Sequence, residues 1–228
     1  MKKLYIQTFI LFLLIGCTNN QTNIEVTPTP TPSQEPVITE ITSLPEKEIP
    51  DSPLASDSPL SSENIDDYLF LKDVMYVDLR SFEQQLTEGS IAGFKVIPFY
   101  EVIVWWENKE NVLYTMKKPE EGFESYLGDE GSFFPNYQES EEVLNSIFPK
   151  NKQIVFMSTA GVEAAYMINL LKQCGYDASL LYNAGTFTNA IGETKAYMNL
   201  EDHKYYIEPN STYNLHVKFD WGELTPIE

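Results

Sequence analysis

Residues 154–176 read IVFMSTAGVEAAYMINLLKQCGY, and these residues decide the fold. Ile154, Val155, Phe156 and Met157 form an unbroken apolar run of strand length. From Val162 the apolar residues Ala165, Met167, Ile168, Leu170 and Leu171 recur mainly at helical spacing, and Gly175 marks the helix end. Between strand and helix stand Ser158, Thr159, Ala160 and Gly161. A strand, a tight loop and a helix in this order gather unpaired N–H groups of the first helical turn around one point, with the positive end of the helix dipole behind them. Ser158, Thr159, Ala160, Gly161, Val162 and Glu163 are therefore the candidate lining of an oxyanion cradle.

Outward from that unit, Val74 to Arg80 reads as a buried strand ending in charge, and Ala178 to Tyr182 as another. A helix is expected over Glu139 to Phe148. A shorter one is expected over Glu63 to Phe70, capped by Ser62. Parallel strands alternating with helices make an α/β domain with a central, mainly parallel sheet the natural architecture. About 165 residues follow Ser61, enough for one such domain and too few for two of ordinary size.

The strand, loop and helix resemble the active-site unit of the rhodanese-like domain family, whose loop begins with a nucleophilic cysteine, carries a glycine and has an arginine on the first helical turn. Aligned on Gly161, the cysteine position falls on Ser158 and the arginine position on Glu163. The resemblance extends to Asp78-Leu79-Arg80 and to the block Glu88-Gly89-Ser90-Ile91-Ala92-Gly93, with Ser90 where the family usually has histidine. Val96-Ile97-Pro98-Phe99 and Asn183-Ala184-Gly185-Thr186-Phe187, the latter where the family often has a paired-glycine turn, continue it. It covers roughly residues 65–200. It implies a single three-layer rhodanese-like domain over residues 62–228, with an aromatic-rich insertion at about 105–138 and a C-terminal β extension at about 201–228. Gly89 and Gly93 permit tight turns. Asp78 and Arg80 are read as a structural ion pair.

The amino terminus, MKKLYIQTFILFLLIGC, has a basic start and a short apolar run, the form of a secretory signal. Leu14-Ile15-Gly16-Cys17 resembles the bacterial lipobox, which implies a signal peptide over 1–16 and lipid on Cys17. Thr18 to Ser61 holds eight of the fourteen prolines, a Thr-Pro run at Thr27 to Pro32, and the repeat DSPLAS, DSPLSS. With so few large apolar residues, 17–61 is expected to be a lipidated, disordered tether. The expected location is the extracytoplasmic face of a bacterial membrane.

Composition narrows the partners. Removing Lys2 and Lys3 with the signal leaves 13 basic against 34 acidic residues, a formal charge of −21. Such a chain repels nucleic-acid phosphates. With Cys17 lipidated, Cys174 is alone, so neither an intrachain disulfide nor a cysteine metal site is available. No metal or other cofactor is expected, and the partners are the membrane, through Cys17, and an envelope protein or small ligand.

Rhodanese-like enzymes carry a persulfide on the loop cysteine. A serine cannot form one. As a nucleophile toward acyl or phosphoryl groups Ser158 would need a neighbouring base, and the two histidines, His203 and His216, stand in the tail. Cys174 lies toward the far end of the helix, where the dipole raises a thiol's pKa. The expectation is a noncatalytic binding module with no catalytic residue. The alternative is a sulfurtransferase-related or hydrolytic enzyme using the same cleft. Aromatics interleaved with acids between Trp105 and Gln138 suit either packing over the domain edge or a grip on a sugar or peptide.

Overall fold

The computed structural model describes residues 40–105, 111–116, 133–189, 195–209 and 220–227. The chain divides after Thr39, and the described residues belong to the unit Glu40–Glu228. The expected signal peptide over 1–16, Cys17, the Thr-Pro run, Trp106, Phe123, Tyr126, the expected hairpin arm Tyr213 to Phe219 and His216 lie outside the described residues.

Four parallel strands form the central sheet: β1 (Val74–Asp78), β3 (Lys95–Val96), β6 (Gln153–Ser158) and β7 (Leu181–Thr186), in the order β3-β1-β6-β7. The α-helices among the described residues are α1 (Phe82–Glu88), α2 (Ser140–Ile147) and α3 (Val162–Gln173). Two small antiparallel pairs flank the sheet. β2 (Ser90–Ile91) joins β8 (Tyr206–Ile207), and β4 (Tyr114–Met116) joins β5 (Phe133–Pro135). The expected α/β class with a central parallel sheet is the fold found.

Side-chain alternation along the strands builds two cores. Val77, Ile154 and Phe156 face Leu144, Phe148, Met167, Leu170 and Leu171 of the α2–α3 side. Tyr76, Val155, Met157, Tyr182 and Ala184 face the other way, onto Leu44, Leu60, Ile65, Leu69, Phe187 and Tyr197. Both faces are thus covered, as a parallel sheet requires. The second cover is made of short 3-10 turns and irregular chain rather than α-helix.

That cover corrects the expected tether. Residues 40–61 are part of the folded body: Leu44 and Leu60 are buried, and the Lys47 side chain is only 6% exposed. Its Nζ donates to the carbonyls of Pro50 (2.7 Å), Ser52 (3.2 Å), Ala178 (3.2 Å) and Leu181 (3.1 Å). A lysine among prolines and serines reads as solvated chain, yet here its ammonium closes the turn and pins it to the start of β7.

Three local readings also shift. Residues 65–68 make a 3-10 turn in place of the expected helix over Glu63 to Phe70. The strand expected from Ala178 begins at Leu181, because the Asp177 carboxylate caps a 3-10 turn by accepting from Ser179 N (2.9 Å) and Oγ (2.7 Å). The turn expected at Asn183 to Phe187 is largely strand. Phe156 pairs with Asn183 and Ser158 with Thr186, so β7 carries one extra residue, and Gly185, at φ +83°, absorbs the bulge.

Candidate functional site

β6 delivers Ser158 to the carboxyl end of the sheet, and Gly161 turns the chain into α3 with φ +76°, as the N-cap. A side chain there would meet only ordinary contacts, the nearest at 3.5 Å from Ala55 Cβ and from Gly185, so the left-handed backbone is what demands glycine. Val162 and Glu163 are the first two helical residues. The expected cradle residues therefore form one continuous loop and helix start.

The loop is tied on several sides. Ser158 O accepts from Phe187 N at 2.9 Å; Thr159 O accepts from Asn189 N at 2.9 Å, Thr188 N at 3.2 Å and Thr186 Oγ1 at 2.8 Å. Thr159 Oγ1 meets the Gln84 amide of α1, with Nε2 at 3.0 Å. Gln84 also closes a capping box with Ser81 at the start of α1. From the other side the Asn183 amide donates to Gly161 O at 2.9 Å and to Pro53 O at 3.0 Å, bridging the loop to the amino-terminal segment. Sequence reasoning missed Gln84, Asn183, Pro53 and Ala55 as neighbours of the loop. Only the Ser81-x-x-Gln84 box carried a signal.

Ser158 is 0% exposed, and its Oγ has no hydrogen-bond partner among the described residues. Among the described residues no imidazole hydrogen-bonds it, and the His203 ring stacks on Tyr206, centroids 4.7 Å apart, and lies 5.6 Å from the Tyr197 ring. Glu163 is half-buried, with Oε2 out of contact with water and likewise unpartnered. The loop thus holds a sealed hydroxyl and a carboxylate oxygen, neither with a hydrogen-bond partner among the described residues.

Asp78 and Arg80 meet as a buried ion pair beside this region. Arg80 Nη2 lies 2.7 Å from Asp78 Oδ2 and 2.8 Å from Gly89 O, and Nη1 lies 3.1 Å from Glu88 Oε2. The guanidinium rests 3.3 Å from the centroid of Phe187. Glu88 in turn accepts from Thr188 Oγ1 at 2.6 Å. Arg80 therefore joins the end of β1 to the α1–β2 turn and to the residues that follow β7.

Cys174 stands at the carboxyl end of α3, twelve residues and about 18 Å of helical rise from the loop. Its Sγ is 3.5 Å from Tyr114 Oη. Burial pushes the thiol pKa up, the Tyr114 hydroxyl opposing it. Between Trp105 and Gln138, Tyr114, Phe133 and Tyr137 are buried, whereas Phe134 is exposed. Among the described residues no group of three or more His, Cys, Asp or Glu is placed to hold a metal, and no helix is long and apolar enough to cross a membrane.

No family model matches the chain, and no curated protein matches it. Among solved structures it is similar to the crystal structure of a rhodanese-like domain protein from Staphylococcus aureus. The identity is 20%, over 52% of this chain and 78% of that one, with a TM-score of 0.29.

Proposed function

We propose that the chain is a lipid-anchored, extracytoplasmic protein whose rhodanese-like domain binds and does not catalyse. The observation that carries the reading is Ser158: a hydroxyl, sealed from solvent, at the position that needs a reactive thiol. Sulfur transfer requires a thiolate that attacks sulfur and holds it as a persulfide. Acyl or phosphoryl transfer requires a base beside the serine, and among the described residues none hydrogen-bonds Ser158. The parallel order β3-β1-β6-β7 and the β6–loop–α3 unit support the rhodanese-like reading. The anchor rests on the sequence around Cys17.

The test compares the native protein with Ser158→Ala for sulfur transfer from thiosulfate and mercaptopyruvate to cyanide or a thiol, and for ester and phosphoester hydrolysis. The expected rates are equal and at background. Turnover abolished by Ser158→Ala would overturn the noncatalytic reading. For the anchor, acyl label is expected on Cys17 in the producing bacterium, and label retained by Cys17→Ser would refute that assignment.

A further inference from the structure

The turn before β1 holds an aromatic ring on an unfavourable backbone. Phe70 has φ +61° and Asp73 φ +64°, the two non-glycine residues of positive φ among those described. A bulky residue rarely takes this left-handed conformation, and strain that the surroundings maintain points to a use. Phe70 is also 59% exposed, so burial of its ring does not account for the strain. The ring is held before any partner arrives. Tyr205 meets it edge-on, centroids 5.1 Å apart, and Gly93 leaves it room, since an added Cβ there would lie 2.9 Å from Phe70 Cε1. Leu71 N donates to Tyr76 Oη at 3.2 Å, which fixes the turn behind the ring.

Phe70 stands at the amino end of the central sheet, the end opposite the Ser158 loop. Val74, Gln153 and Leu181 open β1, β6 and β7 there, and Gly93 leads into β3. The amino-terminal segment reaches the same end: Pro45 O accepts from Tyr182 Oη at 3.2 Å, and Lys47 Nζ donates to Leu181 O. The turn that follows leaves Ile49 51% exposed. One end of the domain thus presents two exposed apolar side chains and receives the chain that leads from Cys17.

Charge and size select the occupant. Beside Phe70, Asp67 pairs with Lys204 at 3.3 Å, Asp73 pairs with Lys152 at 3.7 Å, and Lys72 is exposed; Glu48 and Asp51 flank Ile49. These charges nearly balance on a chain of formal charge −19, so this end is open to an anionic surface that the chain as a whole repels. Two side chains fall far short of the roughly 1,000 Å² that a stable protein interface buries. A lipid surface asks for less. A chain anchored at Cys17 keeps the domain beside the bilayer at high effective concentration, and a phenyl next to a lysine suits the headgroup boundary.

We infer that this end of the domain docks on the membrane surface, with Phe70 and Ile49 entering the headgroup layer and Lys72 at the lipid phosphates. The β6–α3 loop is thereby turned away from the bilayer. The inference rests on the proposed lipid anchor.

The test joins the full chain, carrying Cys174→Ser, through Cys17 to a maleimide lipid in vesicles of phosphatidylethanolamine and phosphatidylglycerol. This supplies an anchor whether or not the bacterium adds one, so failure of docking and failure of natural acylation are told apart. In Phe70→Trp the tryptophan emission is expected to be quenched by brominated acyl chains beyond the native background. Leu86→Trp, at a residue 55% exposed on α1, should show no added quenching. Phe70→Asn, which suits a left-handed backbone, should keep the melting temperature and lower the vesicle-dependent hydrogen-exchange protection of residues 68–73 by about tenfold. No quenching in either tryptophan variant, equal quenching in both, or protection unchanged by Phe70→Asn would overturn the inference. Protection that follows protein concentration instead of lipid would overturn it in favour of a second copy of the chain.

Discussion

Replacing Lys47 by methionine tests the correction to the tether. The substitution keeps most of the aliphatic stem and removes the ammonium that holds four carbonyls, two in the amino-terminal segment, one in the 3-10 turn before β7 and one at the start of β7. Hydrogen bonds to a charged group contribute about 1.5–3 kcal/mol each, so three good ones could approach roughly 6 kcal/mol. Against this stands the cost of burying the charge, several kcal/mol in a folded protein, which methionine avoids. The expected net loss is about 2 kcal/mol, or a fall in melting temperature of about 4–8 °C for a domain of this size. Hydrogen exchange should locate the loss in residues 40–61. The pH profile supplies a second readout. Burial pushes the Lys47 pKa down, with Asp51 opposing, Lys172 adding to it and Asp177 opposing. Between that lowered value and the ordinary lysine value the unfolded chain holds a proton that the folded chain has released. Native stability therefore rises with pH across the window, and the Lys47→Met protein should lose that rise. Urea unfolding at successive alkaline pH values measures both effects. A Lys47→Met protein as stable as the native one, with unchanged protection of residues 40–61, would refute the reasoning.

Arg80→Met leaves Asp78 buried without its partner and should cost about 3–5 kcal/mol, read by urea denaturation; a loss under about 1 kcal/mol would contradict the keystone role. Gly89→Ala should be worse than Gly161→Ala in the same measurement. Both residues have positive φ, but an added Cβ at Gly89 would lie 2.4 Å from Ile207 O, whereas at Gly161 the nearest contacts are 3.5 Å. Equal losses would show that backbone strain alone governs both sites. Cys174, its pKa raised by burial, should be alkylated slowly at neutral pH, and the rate should still be climbing above the free-thiol value of about 8.5. A plateau below that value would exclude the half-buried thiol described here.

The central unit was legible because its physics is local. The apolar run of β6, the helical spacing of α3 and the glycine between them each specify their own conformation. The end of α3 was equally readable: Gly175 N donates to Lys172 O and Tyr176 N to Leu171 O, the glycine stop expected from sequence. The second cover of the sheet was not legible, because Leu44, Lys47 and Leu60 gain meaning only against β7 and its neighbours, more than a hundred residues away. The same holds for the pairing of β8 with β2, which no periodicity announces. At the loop, residue identities revealed a hydroxyl and an acid beside the helix start. The sealing of Ser158 and the grip of Gln84 and Asn183 on the loop depend on tertiary contact.

The central claim is that the loop between β6 and α3 does not hold an oxyanion. A helix amino terminus favours an anion by about 0.3–1 kcal/mol, up to ~2 when partly buried. A carboxylate about 5 Å from that anion opposes it by roughly 3 kcal/mol at an effective dielectric near 20. Glu163, on the first turn of α3 with one oxygen already out of water, therefore tips the balance to repulsion. Calorimetric titration of the native protein with sulfate and thiosulfate is the most direct measurement. No binding heat is predicted for the native chain, and measurable binding for Glu163→Arg; sub-millimolar sulfate binding by the native protein would contradict the account.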